Sequence, residues 1–246
     1  MRTMRAKNTT NAATAAEQTS ATSATSAHMI TVAGHALLLL AEKALYWPAE
    51  KMLIIADIHF GKAASFRAAG VPVPRGTTSD NLAALDALLG SHEVAHIVFL
   101  GDFLHARAAH AGATVAAMLA WRERHRHLRL TLVRGNHDLH AGDPAASLGI
   151  EMVDEPHAIG PFSFCHHPDL VTDGYALAGH VHPSYRLSTR FDSLRLPCFV
   201  VGRQRMIVPS FGAFTGGFTI TPALDEAIYV TSGEAVHLVR QRTDFS

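Results

Sequence analysis

Cysteine is nearly missing from this 246-residue chain: Cys165 and Cys198 are the only two, each inside an apolar run. That excludes a disulfide scaffold and a thiolate metal site, and it fits buried, reduced thiols in a cytoplasmic protein. Charge of one sign is also missing, because 21 basic side chains balance 21 acidic ones. With no global positive field, a nucleic-acid partner would have to be met by a local patch. No apolar run approaches the roughly 20 residues needed to span a bilayer, so no membrane association is expected.

Large apolar side chains are almost absent from Met1 to His28, a stretch of Ala, Thr, Ser and Asn with scattered charges. Such a segment cannot bury enough surface to offset chain entropy, so 1–28 is expected to be a disordered tail. Its two early arginines and its Ser/Thr/Ala bias superficially suit an organelle transit peptide. The alternative is a leader or a misassigned start, with Met29 as the natural beginning. Residues 29–246, in a chain that is 48% hydrophobic overall, suffice for a single domain with one sizeable core.

After Met29, short apolar segments alternate with helical ones. Strands are expected at 36–40, 52–56, 94–100 and 128–133, and helices at 79–89 and about 109–127. From 162 onward the segments are almost all strand-like, at 162–165, 175–178, 198–201, 206–208, 227–230 and 236–239. A βαβα-like first half followed by a β-rich second half suggests two packed sheets with helices outside.

What the chain does have is histidine, 17 in all. His180 and His182 stand two apart just past an apolar run, and on an extended strand that spacing would let both rings converge on one point. Asp57 and His59 repeat the spacing after 52–56. Gly101-Asp102 follows 94–100, Gly135-Asn136-His137-Asp138 follows 128–133, and His166-His167 follows 162–165. Singly, each has an ordinary structural reading: Asp57 as a helix cap, Asp102 as a turn residue, Asn136 in an Asx turn, His166 as a hydrogen-bonded core histidine. Jointly, five oxygen- or nitrogen-bearing segments, each just beyond a strand, lie where α/β sheets place their sites.

The ordered set DIH, GD, GNHD, a histidine after a strand and GHVH resembles the signature of the calcineurin-like metallophosphoesterases, over residues from about 50 to 212. That resemblance implies a four-layer α/β/β/α sandwich of two mixed sheets flanked by helices, with two divalent metal ions at the strand ends. It implies that Asp57, His59, Asp102 and His182 hold one metal and that Asp102, Asn136, His166 and His180 hold the other. His137 is then the proton donor to the leaving oxygen. Related phosphoprotein phosphatases pair that histidine with an aspartate three residues past the bridging one. His105 stands there in this chain, and Asp138 is the expected substitute. His166 is favoured over His167 as ligand because it directly follows the strand, which leaves His167 to line the pocket. Oxygen and nitrogen donors without thiolate favour Mn²⁺, with Fe or Zn as alternatives.

The segments ALYWP (44–48), DIHFGKAASFRAAGVPVPRG (57–76) and GDFLHAR (101–107) resemble the bacterial ligase-associated DNA damage response phosphoesterases, the PdeM group. This implies a DNA endonuclease or phosphodiesterase working with a DNA ligase and a helicase in repair. Lys62, Arg67, His105, Arg107, Arg134 and His167 are candidate substrate contacts, with Arg75 in the same loop as Lys62 and Arg67. Phe60 and Phe66 are read as core, with base stacking as the alternative. Gly212 to Gly217 lacks the Lys and Ser/Thr of a P-loop and reads as a tight turn near the site. Two other functions stay open: a phosphatase or phosphodiesterase of small phosphoesters, and a non-enzymatic scaffold, against which the intact ligand set argues.

Overall fold

The computed structural model describes residues 26–73 and 76–241. The expected tail lies outside these residues up to 25, as does Arg75. Ala27 and His28 are described, and they belong to the first strand, opposite Leu40 and Leu39.

The first half builds β1 (Ala27–Val32), β2 (His35–Leu40), β3 (Leu45–Trp47), β4 (Met52–Ile55), α1 (Lys62–Ala68), α2 (Thr77–Ser91), β5 (His96–Leu100), α3 (Gly112–Arg124), β6 (Arg129–Val133), α4 (Asn136–Ala141) and β7 (Glu151–Val153). The second half adds β8 (His157–Ile159), β9 (Phe162–Phe164), β10 (Tyr175–Ala178), β11 (Pro183–Ser188), β12 (Ser193–Val201), β13 (Arg205–Ile207), β14 (Phe218–Thr219), β15 (Ala227–Thr231) and β16 (Val236–Arg240).

The strands form two mixed sheets. The first runs in chain order from β1 to β7, antiparallel as far as β4 and parallel from β4 to β7. The second runs β14-β11-β12-β13-β10-β9-β8, with β15 and β16 joined through β12. Every residue of β4 and β5 is buried, as parallel strands covered on both faces must be. One face, with Leu53, Ile55, Ile97 and Phe99, meets Leu82, Leu85 and Leu88 of α2 and Met118 and Trp121 of α3. The other, with Ile54, Val98 and Leu100, meets Phe162, Phe164, Leu177 and Phe199 of the second sheet. The sandwich of two mixed sheets with helical cover thus stands as the alternation of segments implied.

Local chemistry moved several boundaries. α2 starts two residues before the expected Ser79, because Gly76 adopts a left-handed φ of 102° ahead of it. The second expected helix divides into a 3-10 turn at Arg107–His110 and α3. The basic end of α3 is partly engaged. Arg124 and His125 pair with Asp86 of α2, and Arg122 donates to the carbonyls of His125 and Leu128. Cys165 and Cys198 are free and buried.

His96 reports on this packing. It is 7% exposed and shares a hydrogen bond with Thr131 Oγ1 at 2.9 Å, and burial lowers its pKa to about 4. Between the ordinary value of about 6.5 and about 4, the unfolded chain takes up a proton that the folded chain refuses, so stability falls as pH falls through that window. His96→Gln is expected to remove up to about 3 kcal/mol of this acid sensitivity. Urea unfolding of both proteins at pH 7 and pH 4.5 checks it: parallel acid losses would refute the assignment.

Candidate metal centre

Parallel strands from both sheets end at one rim. An Ala56–Ser210 bridge and a bond from the Phe211 N–H to the Ala56 carbonyl (2.8 Å) join the end of β4 to the segment after β13. On this rim the backbone turns left-handed. Of the eight non-glycine residues with positive φ among the described residues, five are Asp57 (51°), His59 (48°), Asp102 (50°), His180 (70°) and His182 (50°). L-residues rarely adopt this region, and such outliers gather at sites whose surroundings over-determine them.

The DIH and GD turns are zipped together by His59 N–H to Asp102 O (2.9 Å) and Phe60 N–H to Phe103 O (2.8 Å). Glycine is required at two points. A Cβ on Gly101 would sit 2.2 Å from His166 Nδ1, and one on Gly135 would sit 2.5 Å from Asp102 Oδ1. Asn81 of α2 donates to Ile58 O and accepts from the Ala213 N–H, both at 2.9 Å, so it braces the DIH turn against the 212–217 loop.

Asp57, His59, Asp102 and His182 bring one donor atom each within 4.8 Å of one another. His59 Nε2 faces His182 Nε2 at 3.3 Å and Asp102 Oδ2 at 3.6 Å. On the other side His166 Nε2 faces Asn136 Oδ1 at 2.9 Å, His180 Nδ1 at 3.0 Å and Asp102 Oδ1 at 3.4 Å. Asp102 thus presents one oxygen to each group. His180 and His182 do not converge as an extended strand would have them do: with φ of 70° and 50°, one ring goes to each side.

His166 is fully buried, and its Nδ1 pairs with Leu100 O at 3.0 Å, which leaves the Nε2 lone pair facing the donors. His167 is turned differently. Its Nδ1 lies 2.6 Å from Glu155 Oε1, and Glu155 Oε2 accepts the main-chain N–H groups of His166 (2.7 Å) and His167 (2.9 Å). Burial alone would raise the Glu155 pKa, but these bonds outweigh it and hold the carboxyl below the usual range. No motif pointed to Glu155. Its position two residues past β7 was the only available signal.

His137 Nδ1 pairs with the main-chain carbonyl of His105 at 2.8 Å, and the two rings stack at 4.9 Å. The expected pairing of His137 with Asp138 is corrected here. The buried Asp138 carboxylate instead accepts the main-chain N–H groups of Leu104 and Gly135, each at 3.0 Å, and ties their loops together. Burial pushes its pKa up to about 6 against those two bonds.

The cations divide. Lys62 opens α1, not a loop as expected. Its ammonium lies 3.4 Å from Thr215 O, and burial lowers its pKa although Asp102 and Asp57 act to raise it. Arg107 is exposed beside an open cavity of about 630 Å³ whose wall includes His105, Asn136 and His137. Arg67 is exposed in the last turn of α1. Arg134 is engaged by Asp143 and Asp154, each at 3.2 Å, so the structure turns it to ion pairs rather than to the rim. Phe60 lies in the core, while Phe66 stacks on His105 at 6.1 Å.

The donor set fits divalent ions. Asp57 and Asp102 are 0% and 2% exposed, and their only side-chain ion-pair partners among the described residues are histidines. Two buried carboxylates without a lysine or arginine partner call for another cation. His59 Nδ1 is buried without a partner of its own.

The family model of calcineurin-like phosphoesterases matches residues 50–217. The chain belongs to that family. Its members use a dimetal centre, and this phosphoesterase is accordingly a metal-dependent hydrolase acting on ester bonds. Among solved structures it is similar to Pseudomonas putida nuclease MPE, with 47% identity over 87% of this chain and 100% of that one and a TM-score of 0.77. A protein of unknown function from Aquifex aeolicus matches at 21% identity over 53% of this chain and 78% of that one, with a TM-score of 0.37. No curated protein matches.

Glu155→Ala leaves both ring-bearing residues of the 166–167 turn without their common acceptor. Loss of such supporting bonds is expected to weaken Mn²⁺ binding by about 10- to 100-fold. Calorimetric metal titration checks this. An unchanged dissociation constant would show that the turn holds itself.

Proposed function

We propose that this phosphoesterase is a DNA endonuclease or phosphodiesterase, working in the cytoplasm beside a DNA ligase and a helicase in repair. The observation that carries the nuclease reading is the likeness to nuclease MPE, which spans that protein's whole length at 47% identity. The ligase and helicase connection rests on the 44–48, 57–76 and 101–107 segments.

Asp57, His59, Asp102 and His182 would hold one ion and Asp102, Asn136, His166 and His180 the other. Mn²⁺ suits these donors, and Fe or Zn is also compatible with them. When bound, the two ions supply Lewis-acid stabilisation of phosphate charge and a lowered water pKa. His137 acts from its own geometry. The His105 carbonyl takes Nδ1–H, so Nε2 is the atom left to pass a proton to the leaving oxygen. Because the orienting group is a main-chain carbonyl, this role does not depend on the His105 ring. Lys62 and Arg107 are the cations placed to meet flanking phosphates, with Arg67 further along α1 and His167 on the other side. Asp138 acts as a brace for the loops that carry Asp102 and Asn136.

The balanced charge of the chain favours a second reading, hydrolysis of small phosphoesters, because nothing global draws it to DNA. Hydrolysis of bis-p-nitrophenyl phosphate, p-nitrophenyl phosphate and labelled single- and double-stranded DNA with Mn²⁺ separates the two. Diester and DNA cleavage that falls steeply with salt is the expected result. Small-ester turnover with DNA left intact would overturn the nuclease reading.

Asp102→Ala is expected to abolish both metal binding and turnover. His137→Ala is expected to retain metal and lose about 10²- to 10⁴-fold in kcat. Metal content measured beside steady-state kinetics decides. Equal metal loss in both variants would remove His137 from the proton-donor role.

A further inference from the structure

The β11–β12 hairpin leaves the metal centre directly, since Pro183, the first residue of β11, follows His182. Alternate residues of an extended strand share a face. Ser184, Arg186 and Ser188 therefore lie on one face, in register with Pro197, Arg195 and Ser193 of β12. The opposite face, through Tyr185, Leu187 and Leu196, packs on the small cluster of the second sheet around Val200 and Ile228.

Arg186 stands directly opposite Arg195, and both are exposed. Like charges at a direct cross-strand position repel. Among the described residues neither has an acidic ion-pair partner, and Arg195 makes only a long bond to Gly217 O at 3.4 Å. Between this pair and the metal centre lies a cavity of about 250 Å³ whose lining includes His182, Ser184, Arg195, Lys43 and Gly217. Ser184 is 3% exposed and its buried hydroxyl has no partner. The Lys43 ammonium donates to Phe211 O at 2.8 Å and has two further N–H groups.

A repelling arginine pair, a lysine and an unpaired hydroxyl, arrayed from a phosphoester site outward, want an anion that repeats along a line. We propose that this face of the hairpin is a track for the phosphodiester chain of a single-stranded polynucleotide. Lys43 and the Ser184 hydroxyl take the phosphate next to the scissile one, and the Arg186–Arg195 pair, one two-residue step further along β11, takes the one beyond. Steps of two residues along β11 advance about 6.6 Å, the scale of one extended nucleotide. The two arginines share one hairpin face and Lys43, between β2 and β3, borders the same cavity as Arg195, which suits one strand rather than two. The proposal rests on the phosphodiesterase reading above and assigns the path of its substrate.

The test measures binding of phosphorothioate oligothymidylates of about 4 to 16 nucleotides to the full chain with Mn²⁺, by fluorescence anisotropy across about 50 to 200 mM salt. Arg186→Ala with Arg195→Ala is expected to weaken binding of the longest probe by about 10-fold and of the shortest by less. The salt slope should fall by about 0.7, the value for one single-strand phosphate that is no longer neutralised, because Lys43 stays on the inner one. Arg186→Glu places opposite charges across the pair. It should hold or raise Tm while weakening binding at least as much, which separates a missing phosphate partner from a damaged fold. Wild-type length dependence and slope in these variants, with DNA still cleaved, would overturn the track alone. A wild-type protein that binds no oligonucleotide and hydrolyses only small esters would overturn the nuclease reading, and the track with it.

Discussion

The structure is organised around two buried carboxylates, Asp57 and Asp102, whose turns are hydrogen-bonded side by side. Removing such charges from water costs several kcal/mol each unless they are paired, and among the described residues no lysine or arginine side chain is close enough to pair with them. The surrounding features follow from that constraint. Imidazoles close in from four segments, the His180 and His137 main-chain N–H groups donate to Asp57 and Asp102, and glycines occur where a Cβ would strike the donor set. Two carboxylates that would otherwise be a liability are the reason a pair of cations belongs there.

The cost of holding this arrangement is carried by the fold beneath it. Five of the ring and carboxylate residues sit in left-handed backbone, each worth of order 1–3 kcal/mol of strain. They persist because β4, β5 and β6 are locked between α2 and α3 on one face and the second sheet on the other. Asn81 and the Ser210 hydroxyl, which donates to Asp57 O at 2.9 Å, add rigid anchors directly under the strained turn. Further from the centre the surface is open and carries exposed arginines such as Arg107, Arg186 and Arg195.

Much of this was legible in the chain itself. The strands near 36–40, 52–56, 94–100 and 128–133 and the two-sheet division follow from the alternation of apolar and helical segments, whereas β1, β3, β7, β8, β11 and β14 were not expected. Two of the misreadings share one cause, which is that partners distant in sequence decided them. Asp138 looked like the neighbour of His137, yet Leu104, 34 residues away, takes one of its oxygens. The orienting partner of His137 was expected to be a side chain, yet the main-chain carbonyl of His105, 32 residues away, is what holds it. Lys62 to Ala68 looked like a loop because glycines and prolines flank it, but Gly61 with a φ of 77° starts a helix there.

By itself the sequence determined which oxygen- and nitrogen-bearing residues lie just past the strand ends and in what order, because hydrophobic periodicity and residue chemistry are local properties, while their assignment as metal donors came from the family resemblance. Which atom of each donor faces which neighbour was decided only by tertiary structure. Left-handed turns send His180 and His182 to opposite sides, and Glu155 reaches the 166–167 turn across the gap between β7 and β9. Such choices depend on φ values and main-chain bonds between loops from separate strands, and no spacing within one segment encodes them.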